Sequence, residues 1–235
     1  MTRFVLFFVL ALLALDMQQT TAMGQTNVRE KPTLDSVLSA SRIALFGGLG
    51  VSYMNPQDIV DLINTASIGS QRVSEFKSAV EFFGGLVIPV NGDVTVKAEY
   101  AYLLTSYNVS VPLGVQEYTI TGHLPTVLVQ YILVSEPTYN VKAGGGLGYH
   151  FGFLETKLGG LEDRFSGSGL GIKLDLEAST ALGENLFAYL GADMRWDFIG
   201  DLTNGSGGNP SGIPGTPTSL HFLSVGAKLG FSHYF

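Results

Sequence analysis

Charged side chains recur at every second position in several segments, a spacing that brings them to one face of an extended strand. Arg42, Glu81, Lys97, Glu99, Lys142, Lys173, Asp175, Glu177, Asp193, Arg195, Asp197 and Lys228 make up this set, six positive and six negative. The chemistry open to such a balanced set is ion pairing in a confined space, because an unpaired buried charge is costly. Lys97/Glu99 and Asp193/Arg195/Asp197 are its local clusters. Ser219 and His221 stand two apart, but a hydroxyl nucleophile needs an acid to orient the imidazole. Asp201, in a loop, is the candidate for that role, and a Ser-x-His pair recurs by chance, so no catalytic residue is expected. Four scattered His make no metal site. The absence of Cys excludes disulfides, thiolate metal centres and Cys nucleophiles. Gly48-Leu49-Gly50 and Gly146-Leu147-Gly148 superficially suggest nucleotide loops, but no helix follows either. No cofactor is expected.

The elements that carry the charges alternate with period two, and they do so eight times. The last is the clearest: Leu223, Val225, Ala227, Leu229, Phe231 and Phe235 oppose Ser224, Gly226, Lys228, Gly230 and Ser232. The seventh sets Leu186, Ala188, Leu190, Ala192, Met194 and Trp196 against Phe187, Tyr189, Gly191, Asp193 and Arg195. The second, third, fifth and sixth follow the same rule, and the first and fourth follow it more weakly. Pro125 lacks a backbone donor, which predicts a local irregularity in the fourth strand.

The chain has 235 residues, 30 of them Gly, a net charge of −7 and a positive mean hydropathy. That balance is too apolar for a disordered chain and too acidic for a nucleic-acid partner. Arg3 followed by the 12 apolar residues Phe4–Leu15 reads as a secretory signal, since the run is too short to cross a bilayer as a helix. Small residues at Ala22 and Gly24 place cleavage after Gly24. The expected organisation is a signal peptide over 1–24, a periplasmic segment over 25–40 and a single barrel domain over 41–235.

A soluble sandwich also alternates. Here the polar face is crowded with Gly and with charges of both signs, as the interior of a narrow barrel requires. The connections Asn91–Asp93, Ser135–Pro137 and Gly183–Asn185 are short, whereas about Met54–Phe76, Ser106–Glu117, Leu154–Ser168 and Gly200–Thr218 read as long loops, with the flanks Tyr107–Pro112 and Val115–Ile120 able to continue as a hairpin above the membrane. Short turns alternating with long loops over an even strand number predict an all-β, eight-stranded antiparallel up-and-down transmembrane β-barrel. Tyr53, Tyr102, Tyr149, Phe151, Trp196 and Phe198 lie near external strand ends, and Tyr131, Tyr139 and Phe235 near periplasmic ends, as interfacial aromatics do.

The alternating last strand, ending on Phe235 with Phe231 and Leu229 on its face, resembles the C-terminal signature of bacterial outer-membrane proteins. Across about Ser41–Phe235 the chain resembles small eight-stranded barrels of the OmpA transmembrane domain, OmpX and OmpW type. The resemblance implies an outer-membrane location, outer-membrane lipids as surroundings, and Phe235 as the signal read by the barrel-insertion machinery. An OmpA-type periplasmic domain is not expected after Phe235.

Eight strands enclose a space just wide enough for side chains to fill. The expected function is therefore structural or surface-interacting, as a monomer, with a salt-bridged interior and external loops. The alternative is an OmpW-like narrow channel for small molecules, with Gly144, Gly146, Gly148 and Gly152 leaving room beside His150. Lipid modification at the outer rim is a third reading. Pro56–Ile63 has the spacing of a short amphipathic helix that caps the mouth or touches the leaflet, and Asn204–Pro217 reads as a mobile loop.

Overall fold

A strand with one apolar and one charged face is stable in lipid only if every backbone polar group is paired, and a closed ring of strands achieves that without an edge. The computed structural model describes residues 43–66, 73, 77–111, 114–136, 138–211 and 217–235. The 1–24 and 25–40 segments and Arg42 lie outside the described residues. Eight strands form one antiparallel closed barrel in chain order. They are β1 Ala44–Asn55, β2 Lys77–Pro89, β3 Val94–Val111, β4 Gly114–Ser135, β5 Tyr139–Leu158, β6 Leu161–Ala181, β7 Leu186–Asp201 and β8 Ser219–Tyr234. β8 closes on β1 from Ala44↔Tyr234 to Asn55↔Leu223. Among the described residues one helix occurs, α1 Gln57–Ala66, which follows β1.

Two of the four long connections are strand: the first continues as the hairpin that the flanks Tyr107–Pro112 and Val115–Ile120 suggest, and the second, Leu154–Ser168, expected to be a loop, is a hairpin as well. β3 and β4 pair out to Val111↔Gly114, and β5 and β6 pair out to Leu158↔Leu161. Gly159 and Gly160, with φ of 57° and 91°, make the second turn, a two-residue reversal that needs positive φ at both positions. Four strands therefore project past the barrel end at which β1–β2 and β7–β8 are joined by longer segments. That end is called here the loop end, and the opposite end the turn end. Asn204–Gly208, expected to be mobile, is a closed turn: the Asn204 Oδ1 accepts from the Ser206 and Gly208 amides at 3.1 and 2.7 Å.

Outward positions are apolar around the ring. Leu147, Leu170, Leu190 and Leu229 are each more than half exposed. A continuous apolar belt of this kind exceeds what soluble monomers present to water. Inward positions hold the charges, and every one of the eleven described members of the charged set is at most 6% exposed. A one-residue slip of any strand would exchange these two faces.

Candidate functional site

The lumen is filled in layers, and each layer is set by which residue types fall at inward positions. Toward the turn end, Phe46, Phe83 and Tyr189 meet with ring centroids 6.0 to 6.4 Å apart. Glycine makes room for them. A Cβ on Gly48 would collide with the Leu229 carbonyl and the Phe83 ring, and one on Gly230 would lie 2.6 Å from the Tyr189 ring. Two ammonium groups rest on this aromatic floor: Lys97 Nζ is 4.7 Å from the Phe46 centroid, and Lys228 Nζ is 4.6 Å from that of Phe83.

Above the floor the charges pair mainly across the barrel. Lys228 lies 2.7 Å from Glu81, 2.8 Å from Glu99 and 3.3 Å from Asp193. Lys97 donates to Glu177 at 3.0 Å and lies 3.5 Å from both Glu99 and Asp175. Lys173 donates to Glu99 and lies 3.1 Å from Asp193. Arg195 donates through Nε to Asp197 at 2.9 Å and through Nη1 to Glu81 at 3.2 Å. Lys142, the most peripheral, is 3.8 Å from Glu177. The neutral donors Ser52 and Gln130 complete Glu81 and Asp175 at 3.0 and 2.8 Å. The structure thus brings together all of the named set that it describes. The local clusters hold in part: Arg195–Asp197 is close, but Lys97 is nearer to Glu177 than to Glu99.

Next comes a short relay that charge spacing alone did not reveal. The His150 Nδ1 hydrogen-bonds Asp197 Oδ1, and its Nε2 lies 3.1 Å from Thr126 Oγ1. Thr126 can also donate to the Leu124 carbonyl at 3.3 Å. The hydroxyl therefore satisfies Nε2 whether that nitrogen accepts or donates a proton. His150 is fully buried, its ring gripped between Gly148 and Gly171, where a Cβ on either glycine would overlap it. The sequence signal was present: Thr126 shares the inward parity of Gln130 on β4, His150 that of Lys142 on β5, and Asp197 that of Arg195 on β7.

Toward the loop end the lumen turns apolar. Met54, Leu103, Leu124, Leu154, Ile199 and Leu220 are at most 1% exposed, and they receive Ile59, Val60 and Ile63 of α1. The helix caps the mouth rather than touching a leaflet. Its first turn is tied to β8, where the Ser219 hydroxyl donates to Asp58 Oδ2 and the Ser219 amide lies 3.3 Å from the same oxygen.

Two expectations are corrected by this geometry. Ser219 does not face His221: Ser219 is 8% exposed and bound to Asp58, whereas His221 points outward with its ring 6.3 Å from that of Phe198. Ser219 and Leu220 are both buried at the start of β8, so the alternation that would set Ser219 on the face of His221 is broken there. The glycines of β5 leave no room beside His150. A Cβ on Gly144 or Gly146 would strike the β4 backbone, and one on Gly152 would lie 2.5 Å from Leu220. They permit close packing instead of creating a cavity. Phe235 is 57% exposed at the turn end, its amide donating to the Ile43 carbonyl at 3.0 Å. No cluster of metal-ligating side chains occurs among the described residues.

An apolar belt outside and a charged, side-chain-filled lumen inside define a transmembrane β-barrel. No protein-family model matches the chain, and no curated protein sequence matches it. Among solved structures, Neisserial surface protein A is similar at a TM-score of 0.54 and 11% identity, over 82% of this chain and 97% of that one. The outer membrane protein OprG from Pseudomonas aeruginosa is similar at a TM-score of 0.50 and 14% identity, over 83% and 96% respectively. The chain has the fold of small outer-membrane β-barrel proteins.

Proposed function

We propose that this protein is an exported bacterial outer-membrane barrel that does not conduct and that acts through the structures it raises above the membrane. The observation that carries this reading is the lumen: aromatic floor, ion-pair lattice and α1-capped apolar plug leave no charged group of the described set more than 6% exposed. A path for ions would have to break several buried pairs together, which is strongly unfavourable. In this reading the loop end faces outward, the 1–24 signal is removed after Gly24, and the insertion machinery reads the last strand through Phe235. The barrel works as a monomer, and its surroundings are outer-membrane lipids. The likeness to Neisserial surface protein A supports the architecture.

The interacting parts are the β3–β4 and β5–β6 hairpins, which stand on a rigid base because their inward side chains Tyr107, Tyr118, Ile120 and Phe165 pack into the same plug. Catalysis has no support in this arrangement, since the relay at His150 is shut off from solvent and from lipid headgroups. An epitope inserted between Gly159 and Gly160 tests the reading. Labelling of intact Gram-negative cells, with heat-dependent migration of the extracted protein, is expected. Recovery in the soluble fraction, or labelling only after lysis, would overturn it.

A further inference from the structure

Between β4 and β5 the ladder is interrupted at Leu124 and Pro125 without a change of register: the strands pair as far as His123↔Phe151 and resume at Thr126↔Gly148. Pro125 has no N–H to donate, so the ladder skips without a bulge. On the lipid side of this gap lies a shallow, open depression lined chiefly by Ala98, Pro125, Val127, Leu147, Tyr149 and Leu170. Nearly all of that lining is apolar side chain, and the small Ala98 leaves it open on the β3 side.

Toward the loop end the same wall carries a polar and aromatic cluster. The Tyr100 hydroxyl hydrogen-bonds His123 Nδ1, and the His123 ring stands edge-on to Tyr102 and Phe153 at 5.2 and 5.5 Å. The Tyr149 hydroxyl lies 3.0 Å from Ser168 Oγ. Arg164 lies over the Phe153 ring at 4.6 Å. The neighbouring carboxylates are engaged elsewhere: Lys157 lies 2.6 Å from Glu155 and 3.6 Å from Glu162. The Glu155 hydrogen bond, with the charges of both carboxylates, holds the Lys157 ammonium above its ordinary range. Among the described residues Arg164 has no ion-pair partner.

The separation suits a lipid. Leu170 to Arg164 along β6 spans about 20 Å of strand. Barrel tilt reduces this to roughly 15 Å along the membrane normal, about half of a ~30 Å hydrocarbon core. We infer that this wall is a binding site for an anionic, phosphate-bearing lipid of the outer leaflet, with a phosphate at Arg164, the ester region at Tyr100 and His123, and one acyl chain against the depression at Pro125. The inference rests on the membrane-barrel reading above.

The test uses the folded protein in vesicles of phosphatidylcholine mixed with phosphatidylglycerol, then native mass spectrometry of the lipids that it keeps on release. Selective retention of one phosphatidylglycerol is expected. Arg164→Gln should lower that retention about five-fold, as loss of one interfacial cation does, without changing retention of phosphatidylcholine. Ala98→Phe, which fills the depression from an outward position, should lower retention of both lipids. Equal retention of the two lipids by the native chain, or unchanged selectivity in Arg164→Gln, overturns the lipid site alone. Failure of the native chain to insert at all overturns the membrane reading with it.

Discussion

Glu81 shows best how the lumen works at the scale of single residues. It takes Lys228 at 2.7 Å, Arg195 at 3.2 Å and the Ser52 hydroxyl at 3.0 Å, with no exposed surface. Glu81→Gln leaves two cations short of a counter-charge and should destabilise the barrel by about 3 to 5 kcal/mol, read as a lower urea midpoint in vesicles. Unchanged stability would mean that water reaches these groups. Gly171→Ala tests the cradle around His150, where the added methyl overlaps the ring. It should cost about 1 to 3 kcal/mol by overpacking and shift the His150 ring resonances in an NMR spectrum. The charged residues were legible in the sequence because alternation sorts them to one face. Their partners were not: Lys97–Glu177 and Lys173–Glu99 depend on where distant strands stand across the lumen, which no local pattern encodes.

The elements divide into those whose contrast is strong and those whose contrast fades. β8 shows a clean alternation and stands where its pattern put it. The outer halves of β5 and β6 read as a loop because Glu162 and Arg164 leave no apolar face turned to lipid, and Ser106, Asn108 and Ser110 weaken the contrast of β3 in the same way. Only the inward parity persists there, through Tyr107, Val109, Ile120 and Phe165, which continue the same faces as the charges below. That continuation, with Gly159-Gly160 as a turn signal, was the available clue. The short helix was foreseeable from its spacing, whereas its seat inside the mouth follows from the apolar ring that receives it. Asp58→Ala removes its tie to Ser219. This should loosen α1 by about 1 kcal/mol, seen as roughly five-fold faster hydrogen exchange of its amides, with the barrel amides unaffected. Equal exchange in both proteins would show that apolar packing alone holds the helix.

At the scale of the whole molecule, the charge distribution separates two media. The lumen holds Lys97, Lys142, Lys173, Arg195 and Lys228 against six carboxylates, with His150 bonded to one of them. The outside is a belt that no water-facing sheet would expose. Closure of β8 on β1 removes the last free edge within that belt. Polar, apolar and aromatic layers are stacked along one axis, and under the proposed function the barrel is a solid post and not a tube. Single-channel recording in planar bilayers tests that claim most directly. The native protein should insert and leave the membrane without discrete openings at any holding voltage that the bilayer survives. Reproducible unitary openings of the inserted native chain would contradict the sealed lumen on which the whole account stands.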